Sequence, residues 1–165
     1  MRARSFVIPL LAAIVCVPAL RAAPDRQAPR TVALAVGDNM KFDVERIDAA
    51  PGERLRVILS SVGKLPKIAM AHNFVLLAGG VDPVAFTKES VHAVPPDFLP
   101  PNSKRFILAA TPLAGNGETV EVTFTVPVKP GRYDYICAYP GHFASGARGV
   151  LVVSKPQTEG HDGSI

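Results

Sequence analysis

The sequence contains little cysteine, little excess charge and only one long hydrophobic run. Its 165 residues include two cysteines, too few for a framework of several disulfides. Lys and Arg number 18 against 14 Asp and Glu, so the charge does not indicate nucleic-acid binding. No internal repeat, low-complexity run, Ser–His–Asp set or pair of catalytic carboxylates is evident, which disfavours an enzyme.

The hydrophobic run, residues 5–20, follows a short basic start and precedes the small residue Ala22. This order is typical of a secretory signal peptide. The run of about 16 residues is shorter than the roughly 20 that a membrane-spanning helix needs. We therefore predict a signal peptide over 1–22 and a periplasmic or secreted protein, with a membrane-anchored form as the alternative.

Removal of residues 1–22 would also remove Cys16, so Cys137 would be the only cysteine of the exported chain. A single cysteine in an oxidising compartment cannot form an internal disulfide and calls for another explanation. The remaining chain is long enough for one domain with a real core. We predict a flexible leader over 23–30, one domain over 31–155 and a flexible tail over 156–165.

Short segments that alternate or are apolar, separated by Pro and Gly, predict an all-β sandwich or barrel of seven to eight strands. The predicted strands are 31–36, 54–60, 72–77, 105–109, 119–126, 133–137 and 150–154, and residues 41–44 could extend the first or pair with it. Residues 82–94 lack strand alternation and precede several prolines. They predict a short helical flap outside the sheets.

The segment most informative about chemistry is YICAYPGHFASGARG, which begins at Tyr135. Cys137 ends a predicted strand, Pro140 and Gly141 bend the chain, and His142 follows five residues after the cysteine. The bend can bring a thiolate and an imidazole to one point, a donor pair that suits copper and also zinc. His72 opens a predicted strand much earlier in the chain, and sequence distance alone does not place it near this loop.

The chain resembles the azurin-like cupredoxins, and the auracyanins within that group. The similarity lies in GDNMKF from Gly37, in LSSVGKLPKIAMAHN from Leu59, in residues 135–142 and in Gly149 with the last strand. The resemblance implies a Greek-key cupredoxin barrel that binds one copper ion, cycling between Cu(I) and Cu(II).

The resemblance also implies roles for individual residues. His142 would be the ligand exposed at the surface, through which the electron passes. Asn73 and the backbone N–H of Tyr139 would hold the cysteine sulfur, and the carbonyl of Ala71 would make a weak contact with the metal. The implied in-plane copper ligands are His72, Cys137 and His142.

The axial position departs from the family pattern. Ala147 stands where auracyanins have a methionine ligand, and the shorter azurin spacing would place Gly146 there. Apolar packing could close the position, or water or a small anion could enter it. Met40 and Met70 are alternative axial donors, although an ordinary packing role fits each of them better.

In azurin-like proteins an apolar patch around the exposed histidine ligand docks redox partners, and the resemblance implies such a patch around His142. Leu65, Met70, Pro140 and Phe143 could form that patch here, with plain loop packing as the alternative.

The leading hypothesis is a monomeric one-electron carrier with an unidentified redox partner protein. The alternatives are a copper-delivery protein and, less favoured, an enzyme with an open copper position. His92 and His161 are interpreted as solvated side chains.

Overall fold

The computed structural model describes residues 28–93 and 97–155. It contains eight strands, two short helices and one 3-10 turn. The strands are β1 (Arg30–Val36), β2 (Arg46–Ala49), β3 (Arg54–Ser61), β4 (Val75–Leu77), β5 (Ile107–Ala110), β6 (Thr119–Thr125), β7 (Gly131–Ile136) and β8 (Arg148–Val153). The helices are α1 (Pro83–Ser90) and α2 (His142–Ser145), and the 3-10 turn is Lys104–Phe106.

The strands form two mixed sheets, in the orders β1-β3-β6 and β2-β8-β7-β4-β5. Strand β3 alternates between buried and half-exposed residues, and its inward side chains Leu55, Val57 and Leu59 are fully buried. Leu34 of β1 and Leu151 of β8 belong to the same buried cluster. This period-two burial gives each sheet one apolar face, and the two faces form one core. The predicted all-β sandwich is therefore confirmed.

A second, smaller core lies where α1 covers the other face of the larger sheet. Phe86 of α1 packs with Val75, Leu77 and Ile136, while their strand neighbours face the main core. The helix begins where the Asp82 carboxylate accepts a hydrogen bond from the backbone N–H of Val84 at 2.9 Å, with proline at the first helical position. The predicted flap helix is thus present. Residue 94, its predicted end, lies outside the described residues.

Several local predictions differ from the structure, among them the strand predicted over 105–109, whose first two residues belong to the 3-10 turn. Strand β2 was not predicted, because its four residues are too short for a clear alternating pattern. Residues 41–44 form only an isolated bridge, through Phe42, instead of a strand. His72 likewise precedes β4 and is held in an isolated bridge to Ala114. Short bridges of this kind depend on tertiary packing, which periodicity does not report.

The predicted signal peptide, 1–22, and the predicted tail, 156–165, lie outside the described residues, as does most of the leader. The described part of the chain has no helix both long and apolar enough to span a bilayer.

Candidate metal centre

Three side chains from distant parts of the sequence meet at one end of the sandwich. Cys137 directly follows β7, and His142 is the first residue of α2. His72 comes from the loop before β4, where its N–H donates to the Ala114 carbonyl at 2.9 Å and its carbonyl accepts from the Ala114 N–H at 2.7 Å. Cys137 and His72 are fully buried, and 3% of His142 is exposed.

The donor atoms of the three residues face one another. The distance from Cys137 Sγ to His142 Nδ1 is 3.5 Å, and the two Nδ1 atoms of His142 and His72 lie 3.2 Å apart. All three donor atoms lie within 4.8 Å of one another. This spacing allows one ion to contact all three at once, with each imidazole using Nδ1.

The short connection between Cys137 and His142 is shaped by backbone hydrogen bonds. Gly141 adopts a left-handed conformation (φ 85°), which lets the chain turn into α2. The N–H of His142 donates to the Tyr139 carbonyl at 3.1 Å. Ala147 closes the loop, because its N–H donates to the His142 carbonyl at 3.0 Å and its carbonyl accepts from the Cys137 N–H at 2.9 Å.

Burial controls protonation at the cluster. It lowers the pKa of His142 to about 4, with His72 as a second cause. Burial also lowers the pKa of His72, and the carboxylate of Asp38 opposes that shift. Both imidazoles are therefore neutral near pH 7, as metal coordination requires.

Burial raises the pKa of the Cys137 thiol to about 11, opposed by the backbone N–H groups of Asn73 and Tyr139. Without a metal the thiol keeps its proton at neutral pH, and a bound cation would stabilise the thiolate in its place. These two N–H groups favour the thiolate form of Cys137 and would stabilise it further once a metal is bound.

The side chain of Asn73 braces this arrangement. Asn73 is fully buried. Its Oδ1 accepts a hydrogen bond from the Ala138 N–H at 2.8 Å, and its Nδ2 donates to the Asp97 carbonyl at 3.1 Å. Asn73 therefore links the segment between His72 and β4 to two other places, Ala138 next to Cys137 and Asp97 in the segment after α1.

Comparison with known proteins identifies the family. The model of the copper binding proteins of the plastocyanin/azurin family matches residues 30–154. The chain belongs to this family. It is 39% identical over 119 residues to azurin iso-2 of Methylomonas sp. (strain J), covering 70% of this chain and 90% of that protein. It is 34% identical to auracyanin-A of Chloroflexus aurantiacus, covering 72% of this chain and 70% of that protein.

Solved structures give the same result. The reduced auracyanin of Roseiflexus castenholzii superposes with a TM-score of 0.68 at 35% identity, covering 77% of this chain and 98% of that one. The azurin iso-2 structure superposes with a TM-score of 0.67 at 32% identity, covering 78% of this chain and 100% of that one. The predicted azurin- and auracyanin-like cupredoxin is confirmed, and with it a family of electron carriers rather than enzymes.

The metal of this family fits the residues present. Two neutral imidazole nitrogens and one buried sulfur form the trigonal His2Cys donor set of blue copper sites. Copper as the cofactor therefore agrees with the donor chemistry as well as with the family.

At the predicted axial position, Ala147 is fully buried and belongs to the same apolar cluster as Cys137. Gly146 is half-buried, and the side chain of Lys41 lies across it. Ala71 is buried directly before His72. The residue predicted for the axial position is thus a buried alanine, whose side chain is a single methyl group.

The predicted patch residues are only partly at the surface. Leu65 is 45% exposed, whereas Met70, Pro140 and Phe143 are half-buried. Phe143 packs against the small core under α1. Ile68, which the prediction omitted, is 90% exposed.

The expectation that His142 is exposed at the surface is wrong, because only 3% of the residue is accessible to solvent. The Tyr139 ring packs against the imidazole, with 4.6 Å between ring centroids. His92 is exposed, as predicted, and His161 lies outside the described residues.

Sequence reasoning missed two residues that support the centre. The carboxylate of Asp38 accepts hydrogen bonds from the N–H groups of Lys64 and Leu65, at 2.9 and 3.4 Å. An Asp after Gly37 in a turn is a recognisable capping signal. Asp97 contributes only its carbonyl oxygen, and a backbone atom carries no signal in the sequence.

Proposed function

We propose that the chain is an exported one-electron carrier whose copper is held by His72 Nδ1, Cys137 Sγ and His142 Nδ1. The observation that carries the proposal is the meeting of these three donor atoms within 4.8 Å in a buried site. Bound copper would supply a reversible one-electron couple, Cu(I)/Cu(II), at this position. Export rests on the predicted signal peptide over residues 1–22.

The protein's contribution is to hold the donors in place. His72 is fixed by its paired backbone bonds to Ala114, and Cys137 by its bond to Ala147. The sulfur also receives two N–H donors, from Asn73 and Tyr139. A donor set fixed from several directions needs little rearrangement when the charge of the metal changes, which favours rapid electron transfer.

We also propose that the site has no side-chain axial ligand. Ala147 offers only a methyl group, and it is fully buried in an apolar cluster. This environment supports a site closed by packing over one that admits water, because water needs several polar partners. A three-coordinate, apolar site favours Cu(I) and hence a high reduction potential.

The surface for a redox partner is proposed to be the docking loop, residues 62–70, together with Pro140. Leu65 and Ile68 project from this loop into solvent, and exposed apolar side chains that cluster mark interaction sites. The loop is ordered by the Asp38 carboxylate and by the bonds from Ala69 and Met70 to the Pro66 carbonyl. The proposed partner is a protein that gives or takes one electron, and the chain itself is proposed to act as a monomer.

Copper loading of the purified protein tests the proposal. We expect one copper per chain, an intense visible thiolate-to-copper band and reversible voltammetry. Cys137→Ser should abolish the band, and His72→Ala or His142→Ala should weaken copper binding by at least tenfold. His92→Ala is the matched control, since that histidine is exposed and outside the cluster. If Cys137→Ser keeps the wild-type band and affinity, the proposed site is wrong. Release of copper to an acceptor protein without redox cycling would indicate a delivery protein instead.

A further inference from the structure

The side chain of Tyr139 makes contacts with three separate segments. Its ring packs against the His142 imidazole, at 4.6 Å between centroids, and against the Phe98 ring, at 5.0 Å. Its hydroxyl donates a hydrogen bond to the carbonyl oxygen of Ile68 at 2.9 Å. Tyr139 also lies two residues after Cys137, and its backbone N–H favours the thiolate form of that cysteine.

Ile68 is the most exposed of the large hydrophobic residues in the docking loop. Its side chain is 90% exposed, while its carbonyl is turned inward to the Tyr139 hydroxyl. The first part of the loop is held by Asp38. The second part contacts Glu118 through the exposed ion pair of Lys67, and exposed pairs of this kind contribute little stability. The Tyr139 hydroxyl is therefore well placed to hold the second part of the loop against the metal centre.

We propose that Tyr139 is a positioning residue that fixes the docking loop relative to His142. Because only 3% of His142 is exposed, a partner has little direct access to the imidazole. A partner seated on Ile68 would instead be joined to His142 through one carbonyl, one hydroxyl and one aromatic ring. The role of the partner rests on the proposed function, but the positioning itself does not require copper.

The electron balance leaves the tyrosine unchanged. On the proposed function, one electron would pass from the reduced copper protein to an oxidised partner protein, and in self-exchange that partner would be the oxidised form of this chain. In this proposal Tyr139 carries neither an electron nor a proton, and its hydroxyl serves only as the hydrogen-bond donor to the Ile68 carbonyl. The hydroxyl acts through geometry alone.

Tyr139→Phe tests the proposal, with Tyr133→Phe as the matched control. Tyr133 also donates its hydroxyl to a backbone carbonyl, that of Lys129 at 2.7 Å, and is not part of the metal cluster. In the metal-free protein, we expect Tyr139→Phe to accelerate amide hydrogen exchange at Ala69 and Met70 roughly fivefold, the factor for loss of about 1 kcal/mol from one neutral hydrogen bond. Tyr133→Phe should leave these two amides unchanged.

A second measurement uses the copper-loaded protein. Tyr139→Phe should lower the electron self-exchange rate roughly fivefold, for the same loss of loop order, while the visible spectrum and reduction potential stay at wild-type values. Unchanged exchange at both amides, or equal acceleration in both variants, would overturn the proposal. If the wild type takes up no copper but the amide pattern appears as expected, the positioning role stands and the proposed function fails.

Discussion

Removal of the Asn73 side chain should weaken both the fold and the metal centre. In Asn73→Ala, the buried N–H of Ala138 loses its side-chain acceptor, and the Asp97 carbonyl loses the Asn73 amide as a donor. A buried donor left without a partner costs about 1–3 kcal/mol, and the second lost bond adds about 1 kcal/mol. We therefore expect the free energy of unfolding to fall by about 2–4 kcal/mol.

Thermal and urea unfolding of the metal-free protein measure this loss. For a domain of this size the midpoint temperature should fall by on the order of 10 °C. The matched control is Asn39→Ala, where an exposed side chain accepts one bond from the Lys41 N–H at 3.2 Å. The control should lose less than about 1 kcal/mol.

The same variant should also weaken copper binding, because residues that orient metal ligands typically change affinity by about 10–100-fold when replaced. Competition with a chelator measures the affinity, and the visible band reports the sulfur geometry. Equal stability losses in Asn73→Ala and Asn39→Ala would refute the reasoning, since the burial of the first site would then carry no energetic consequence.

Three shorter predictions address other features. In the metal-free protein, the lowered pKa of His142 means that the unfolded chain takes up a proton first as pH falls, so stability should drop between about pH 6.5 and 4 by on the order of 3 kcal/mol. Urea unfolding across this range should show a clearly smaller drop in His142→Gln, where the lowered pKa of His72 still contributes. Ala147→Met should supply an axial thioether donor and lower the reduction potential, and it should cost about 1–3 kcal/mol of stability if the site is closed by packing. Voltammetry measures the potential and thermal unfolding measures the stability. An unchanged potential would contradict the axial assignment. Gly149→Ala should be strongly destabilising because the new methyl would overlap the buried Tyr135 ring. In the control Gly117→Ala the methyl meets open space, so the cost should be only about 1–2 kcal/mol for the positive φ. Similar midpoints of thermal unfolding for the two variants would show that the Tyr135 ring can move aside.

The parts of the fold that the sequence predicts are those with a strong local pattern. Strand β6 alternates clearly over seven residues, and α1 carries both Asp82 as its cap and Pro83 as its first residue. Strand β2 has four residues, and α2 is a single turn whose start at His142 is set by the left-handed Gly141. Elements this short are determined by the contacts around them, so the local sequence does not specify them.

The site could be predicted only in part for a similar reason. The proximity of Cys137 and His142 follows from five residues of chain and a Pro-Gly bend. The position of His72 depends on its bridge to Ala114 and on the packing of two sheets, and only the resemblance to the cupredoxins predicts it. The burial of His142 depends on where the Tyr139 ring lies, and the bond from Tyr139 to Ile68 joins residues 71 apart in the chain.

The long sequence separation inside the donor set has a consequence for how the chain is held together. His72 and His142 are 70 residues apart, and one ion bound to both would close the intervening chain into a ring. A covalent cross-link of that span removes about 4 kcal/mol of unfolded-state entropy. In the described part of the chain Cys137 is a free cysteine, and a bound metal would supply the kind of cross-link that a disulfide supplies in many secreted domains.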